Sequence, residues 1–119
     1  MSISDLESKF PLIFTKCRPT GGPGWVAIFE TLLIQLQARA NGGGVQARAH
    51  TAREKWGRLT MRFSPLDPAD AAIVAHTESL SLQTCEVCGA PGKLIQEAWH
   101  RTRCEVHTDF QPNWPTSTR

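Results

Sequence analysis

The chain has 119 residues, 40% of them hydrophobic and 20% charged, with 13 basic side chains against 11 acidic ones and a formal net charge of +2. That composition is ordinary for a globular chain with one core, so disorder is not the default, and the total charge gives no general affinity for nucleic acid. No apolar run approaches the roughly 20 residues that a membrane span needs, and Asp5 and Glu7 stand where a signal peptide would be basic, so a cytoplasmic chain with reduced thiols and no membrane partner is expected.

Ser4-Asp5-Leu6-Glu7 has the spacing of a capping box, which predicts a short helix from Ser4 that stops before Pro11. Phe10, Leu12, Ile13 and Phe14 form an apolar patch that must pack. Cys17, among Lys16, Arg18 and Pro19, reads as a free thiol. Thr20-Gly21-Gly22-Pro23-Gly24 is a glycine-rich loop without the Lys-Ser or Lys-Thr of a phosphate cradle, so a plain connector is expected. From Trp25, apolar residues at Ile28, Phe29, Leu32, Leu33 and Leu36 follow helical spacing until Asn41-Gly42 closes the series. This principal helix of about 16 residues would be about 24 Å long. A domain this small needs its longest apolar stripe for its own core, which outweighs reading it as a partner-binding groove helix.

After Gly42-Gly43-Gly44 the period becomes two, with Val45, Ala47 and Ala49 on one face and Gln46, Arg48 and His50 on the other. A turn near 54–57 then leads to Leu59, Met61 and Phe63 alternating with Arg58, Thr60 and Arg62. The expected hairpin carries Arg48, Arg53, Lys55, Arg58 and Arg62 outside against one acid, Glu54, with Trp56 among them. Such a face could contact phosphates or an acidic protein; arginines that confer solubility and block edge pairing are the plainer reading. Asp67 as N-cap, Pro68 at the first helical position and Asp70 in the first turn begin another helix. Its predicted inner face holds Ala69, Ala72, Ile73, His76 and Leu80, with His76 packed and hydrogen-bonded rather than a ligand.

Cys85-Glu-Val-Cys88-Gly89-Ala-Pro91-Gly92 and, after a spacer ending in Trp99, Cys104-Glu-Val-His107 have the spacing of a four-ligand zinc site. Two cysteines two residues apart both reach one tetrahedral ion at about 2.3 Å per bond, and the second pair repeats that geometry. Gly89 allows a sharp turn beneath the metal, and Pro91-Gly92 starts a hairpin with strands over 93–96 and 99–103. A redox CxxC would sit in a βαβ pattern, which is absent, and scattered core cysteines would not pair in this way. His100 could replace His107, but it lies within the presumed strand rather than on a turn. The proline-rich tail with Phe110, Pro112, Trp114 and Pro115 excludes a long helix after the second pair; Trp114 is expected to dock on the body or leave the last residues mobile.

A zinc ion with four protein ligands has no open position, so the expected role is structural. No G-x-S-x-G or H-E-x-x-H motif occurs, and the four histidines have no acidic constellation, so neither an enzyme nor a small-molecule substrate is expected. An HNH-like nuclease using His100 as base would be the nearest catalytic alternative, yet Trp99 precedes His100 and Asn113 stands alone.

Gly24-Trp25, Lys55-Trp56-Gly57 with Leu59 and Phe63, Glu78-Ser79, Cys85-x-x-Cys88-Gly89-x-Pro91-Gly92 and Trp99-x-x-Thr102-x-Cys104-x-x-His107 together resemble a group of small bacteriophage and prophage proteins. The resemblance covers 24–107 and implies zinc binding in a phage-type setting; its specific part is the cysteine-rich half. By analogy with small phage proteins that inhibit host machinery such as CRISPR defence, it suggests docking on a host or phage protein complex. The expectation is one α+β domain: a helical part at 1–44, a basic hairpin at 45–64, a helix at 65–84, a zinc ribbon at 85–107 and a tail at 108–119. A protein complex is the leading partner, met through the Arg48 to Arg62 face, and nucleic acid the second.

Overall fold

In the computed structural model, which describes residues 1–114, the chain is a mixed α+β fold with helices and two separate antiparallel hairpins. Pro115 and the rest of the expected tail lie outside the described residues. The first helix, α1, spans Asp5–Lys9, but Ser4 caps nothing and its own backbone is already helical. Asp5 instead reaches back to Ser2, accepting its backbone N–H at 2.7 Å and its hydroxyl at 3.1 Å. Ser2-x-x-Asp5 and Ser4-x-x-Glu7 share one spacing, and the spacing alone does not choose between them. Phe10, Ile13 and Phe14 are buried while Leu12 faces outward.

The principal helix α2, Val26–Asn41, buries Phe29, Leu32, Leu33 and Leu36, with Trp25 fully buried in the turn that precedes it. Its C-terminal carbonyls are satisfied one residue later than Asn41-Gly42 suggests. Gly43 holds the left-handed conformation (φ 101°), donates to the Ala40 carbonyl and is followed by Gly44 donating to Arg39. Val45 consequently lies outside the sheet and is exposed.

The first hairpin pairs β1, Arg48–Lys55, with β2, Arg58–Ser64. A bulge between Ala49 and Thr51 changes which side chains face inward, so Ala47, Ala49, Ala52 and Glu54 all lie on the buried face. Glu54 is therefore not an acid of the basic face: it is 2% exposed, and its carboxylate accepts the Gly57 N–H at 2.8 Å. The turn is tighter than 54–57, with only Trp56 and Gly57 between the strands, both at positive φ (57° and 80°). That is the two-residue turn whose twist matches a right-twisted ribbon.

Both edges of this two-stranded sheet are covered. Along β1, Ala49 N–H bonds to the Ile13 carbonyl at 2.8 Å, and the Ala52 carbonyl accepts from Thr20 at 3.0 Å. Along β2, Leu59 and Met61 donate their backbone N–H to Ser81 Oγ at 3.0 Å and Glu78 Oε2 at 2.8 Å. Those acceptors belong to α3, Pro68–Ser81, which starts as expected with Asp67 accepting from Asp70 N–H at 2.8 Å. The inner face of α3 is not the expected one. Asp70, Val74, Thr77 and Ser81 are buried, Ile73 and Leu80 are half-buried, and Ala69, Ala72 and His76 are exposed. Val74 joins the core and Ile73 packs against it, and polar anchors add to this: Arg39 of α2 bridges to Asp70 and, at 3.0 Å, to Asp67.

The second hairpin joins β3, Lys93–Gln96, to β4, His100–Arg103, leaving Trp99 in the turn rather than in the strand. It sits on the turn of the first hairpin. Thr102 Oγ1 donates to the Gly57 carbonyl at 2.7 Å in a buried position, and the His100 and Trp56 rings meet with centroids 5.5 Å apart.

Candidate metal centre and basic contact face

Cys85, Cys88, Cys104 and His107 come together with their ligand atoms all within 4.8 Å of one another. Cys88 Sγ lies 3.7 Å from Cys104 Sγ, and His107 Nδ1 lies 3.3 Å from Cys104 Sγ and 3.8 Å from Cys85 Sγ. A tetrahedral ion bonded at about 2.3 Å to sulfur and about 2.0 Å to nitrogen needs edges of about 3.5–3.8 Å, so the four donors fit one metal ion. Local backbone places them. Gly89, at φ 83°, returns its N–H to the Cys85 carbonyl at 2.9 Å, and a short turn over Glu105–His107 repeats the reversal at the second pair. His100, the alternative ligand, is absent from this cluster; its ring lies against Trp56.

Burial alone would raise the Cys85 thiol. The backbone N–H groups of Cys104, Cys88 and Val87 outweigh it, with help from the Cys104 side chain, and bring it down to about 6. For Cys88 the Ala90 N–H favours the thiolate, but burial and the neighbouring Cys104 and Cys85 hold the thiol above its usual range. Aimed N–H donors are what a bound thiolate needs around it, since they spread its charge.

The support beneath this cluster escaped the sequence reading. The loop taken for a plain connector lies directly on the first knuckle: Gly24 N–H bonds the Glu86 carbonyl at 2.7 Å, and Trp25 Nε1 bonds the Thr84 carbonyl at 2.9 Å. A side-chain carbon on Gly24 would stand 2.1 Å from the Cys85 carbonyl oxygen and 2.5 Å from Gly89 N, so only glycine admits this approach. Glu86 and Arg103, each 1% exposed, form a buried ion pair at 3.3 Å. The other Glu86 oxygen accepts Gly22 N–H at 3.1 Å and Trp114 Nε1 at 3.0 Å, so Trp114 does dock on the body. Burial, with the nearby Glu54 charge, pushes the Glu86 carboxyl up to about 7 against the pull of Arg103. Nothing in the sequence separates Glu86 from Glu105. Both follow a cysteine in Cys-Glu-Val, yet one is buried and the other exposed.

On the opposite side of the sheet from α2, Arg48, Arg53, Lys55, Arg58 and Arg62 are all exposed, as expected. The bulge is what unites them: Arg48 and Arg53 are an odd number of residues apart and would face opposite ways in a regular strand. The outward cross-strand pairs are Arg48 with Ser64, Thr51 with Arg62, Arg53 with Thr60 and Lys55 with Arg58. Every pair holds a cation and none holds an acid. Among the described residues, none of the five cations has a carboxylate within salt-bridge distance. Trp56 ends the row, 57% exposed.

No helix among the described residues is long and apolar enough to cross a membrane. Comparison with protein-family models, curated proteins and solved structures gives no match.

Proposed function

We propose that this chain is a non-catalytic binding protein in which one structural zinc ion, held by Cys85, Cys88, Cys104 and His107 in a zinc ribbon, fixes a basic hairpin as the contact face for an acidic partner. Three thiolates and an imidazole are a donor set that suits zinc, and their full use leaves the ion no open position for activating water. The ion then acts through folding, with an apparent binding free energy of about 10–16 kcal/mol against a typical domain stability of about 5–15 kcal/mol. The observation that carries the contact face is the row of four outward pairs, each with a cation and none with an acid. Blocking of edge pairing does not account for them, because protein already covers both sheet edges.

One reading of the acidic partner, in the setting that the motif resemblance suggests, is a protein complex of the phage or its host, with inhibition of a defence such as CRISPR as one use of such docking. A nucleic-acid partner is the second reading, favoured by the exposed Trp56 at the end of the row. Two measurements test the common core of both. Elemental analysis of purified protein should give about one zinc per chain, and less than half an equivalent would overturn the metal assignment. On a heparin column the protein should elute at clearly higher salt than the Arg58→Glu/Arg62→Glu variant; co-elution of the two would remove the face as a contact surface. Magnesium- or manganese-dependent nuclease activity abolished by His100→Ala would overturn the non-catalytic reading.

A further inference from the structure

Resting on that assignment of the basic hairpin as the contact face, we infer that its partner is single-stranded nucleic acid, with phosphates along the row of cations and an unpaired base stacked on Trp56 at its end. The first support is shape. From Arg48 to Lys55 the strand runs about 24 Å, while the two strands lie only about 5 Å apart, so the charge forms a stripe much longer than it is wide. A linear polyanion complements such a stripe. A folded acidic protein buries about 800 Å² per partner around an apolar, aromatic centre, and the outward pairs supply no apolar side chain. Beside the cations these pairs carry three hydroxyls, a group that meets phosphate oxygens in nucleic-acid complexes: Thr51, Ser64, which already meets His50 Nε2, and Thr60, which donates to the Arg58 carbonyl at 3.4 Å.

The second support is Trp56. It occupies the first position of a two-residue turn at φ 57°, where Asn, Asp and Gly are favoured, and a bulky side chain is rare. A tryptophan there neither eases the turn nor fills the core, since more than half of it is exposed at 57%. Its ring is steadied instead by His100 of β4, with planes at 69°. An aromatic surface next to a row of cations, here with Lys55 before Trp56 and Arg58 two residues after it, is how single strands are held without sequence preference. Duplex bases are stacked on each other and cannot use such a ring, which is why the inference is for a single strand.

The test is fluorescence anisotropy with a labelled twelve-nucleotide oligothymidylate, the matching duplex and a twelve-residue polyglutamate peptide at 50 mM salt. Expected is preferential binding of the single strand, with a log K against log salt slope of about −3 for four phosphates. Trp56→Ala should weaken it about 5- to 150-fold with the slope unchanged. Arg58→Ala/Arg62→Ala should flatten the slope by about 1.4. Equal binding of the polyglutamate with no effect of Trp56→Ala would overturn the inference in favour of an acidic protein partner while the contact face stands. Equal binding of the duplex, or single-strand binding indifferent to Trp56, would also overturn it. Absence of binding to all three probes and to heparin would remove the contact face as well. Trp56 is exposed, so circular dichroism of its alanine variant should match the wild type; a variant that loses its fold is replaced by Trp56→Asn, which suits the turn and supports the same readout.

Discussion

Replacing Gly24 with alanine adds one carbon at a place where backbone meets backbone. The new Cβ would stand 2.1 Å from the Cys85 carbonyl oxygen, 2.5 Å from Gly89 N and 2.8 Å from Cys88 N. None of these atoms belongs to a flexible side chain, so relief requires the loop to lift off the knuckle and break the 2.7 Å bond from Gly24 N–H to the Glu86 carbonyl. Overpacking of this kind costs about 1–3 kcal/mol, and leaving a buried bond unmade costs about 1–3 kcal/mol more, which gives about 2–6 kcal/mol. With an unfolding entropy of about 2.1 cal/mol/K per residue over 119 residues, each kcal/mol moves the melting temperature by about 4 °C, so a fall of about 8–24 °C is expected. Gly43→Ala is the control. Gly43 has φ 101° with nothing within 4 Å of a would-be Cβ, so that substitution meets conformational strain alone, about 1 kcal/mol and about 4 °C. The assay is thermal unfolding of both variants with zinc present, followed by far-ultraviolet circular dichroism. If Gly24→Ala melts no lower than Gly43→Ala, the loop does not press on the knuckle and the coupling of the two halves is refuted.

Cys85→Ser, or a strong chelator, should abolish the cooperative melting of the zinc-loaded protein, whereas a melting curve unchanged after chelation would mean that the cluster holds no structural ion. A pH series should show apparent zinc affinity falling from pH 9 through 6. Cys85 ionises lower in the folded chain (about 6) than its ordinary 9.0, so the stability it contributes is fully present above 9.0 and lost as pH falls through about 6. An affinity independent of pH in chelator competition would contradict thiolate ligation. Arg103→Met leaves Glu86 buried without its cation and should cost about 3–5 kcal/mol in urea unfolding at pH 8. Because the Glu86 carboxyl sits at about 7, the folded state gains from its protonation below that pH, so the loss relative to wild type should shrink at pH 5.5; a pH-independent loss would refute the buried pair as its cause. Trp56→Asn should raise stability by about 0.5–1 kcal/mol, since asparagine tolerates φ 57° where tryptophan is strained, and a destabilised variant would mean that the ring contact with His100 outweighs that strain.

Those elements that follow one local rule were legible in the sequence. The α2 stripe, the Asp67-Pro68 start of α3, the short strands between the cysteine pairs and the approach of four ligands all follow from spacing within a few residues. What was hidden came from contacts distant in sequence. Glu54 reads as one more surface charge until the bulge after Ala49 changes the facing of β1, and no residue type marks where a bulge falls. His76 looked buried because Ala69, Ala72 and Ile73 suggested an apolar face, but α3 is held by Asp70, Glu78 and Ser81 reaching an arginine and a strand edge. The Gly22 and Gly24 contacts with Glu86 span more than sixty positions, and a glycine that admits a close approach reads the same as one that permits a turn.

The candidate metal centre and the hairpin face are structurally linked rather than two separate features of one chain. Strands β3 and β4 are four residues each, with Leu94 and Ile95 only half-buried, too little apolar burial for an isolated hairpin to hold its shape in water. Their order must come from the ends, where the cysteine pairs meet, and from polar contacts made by β4 itself. One of those contacts, Thr102 to the Gly57 carbonyl at 2.7 Å, and the neighbouring His100 ring together fix the turn that carries Trp56. From the other side, Gly22 and Gly24 tie the first knuckle to the start of α2, whose apolar residues pack in the same core as the inner face of β1 and β2. Closing the ligands on an ion thus restrains the hairpin twice, through its tip and through the helix behind it. On the proposed reading, an ion that performs no chemistry would still set binding in this way, because it would limit the positions open to the aromatic ring and the cations proposed to meet the partner.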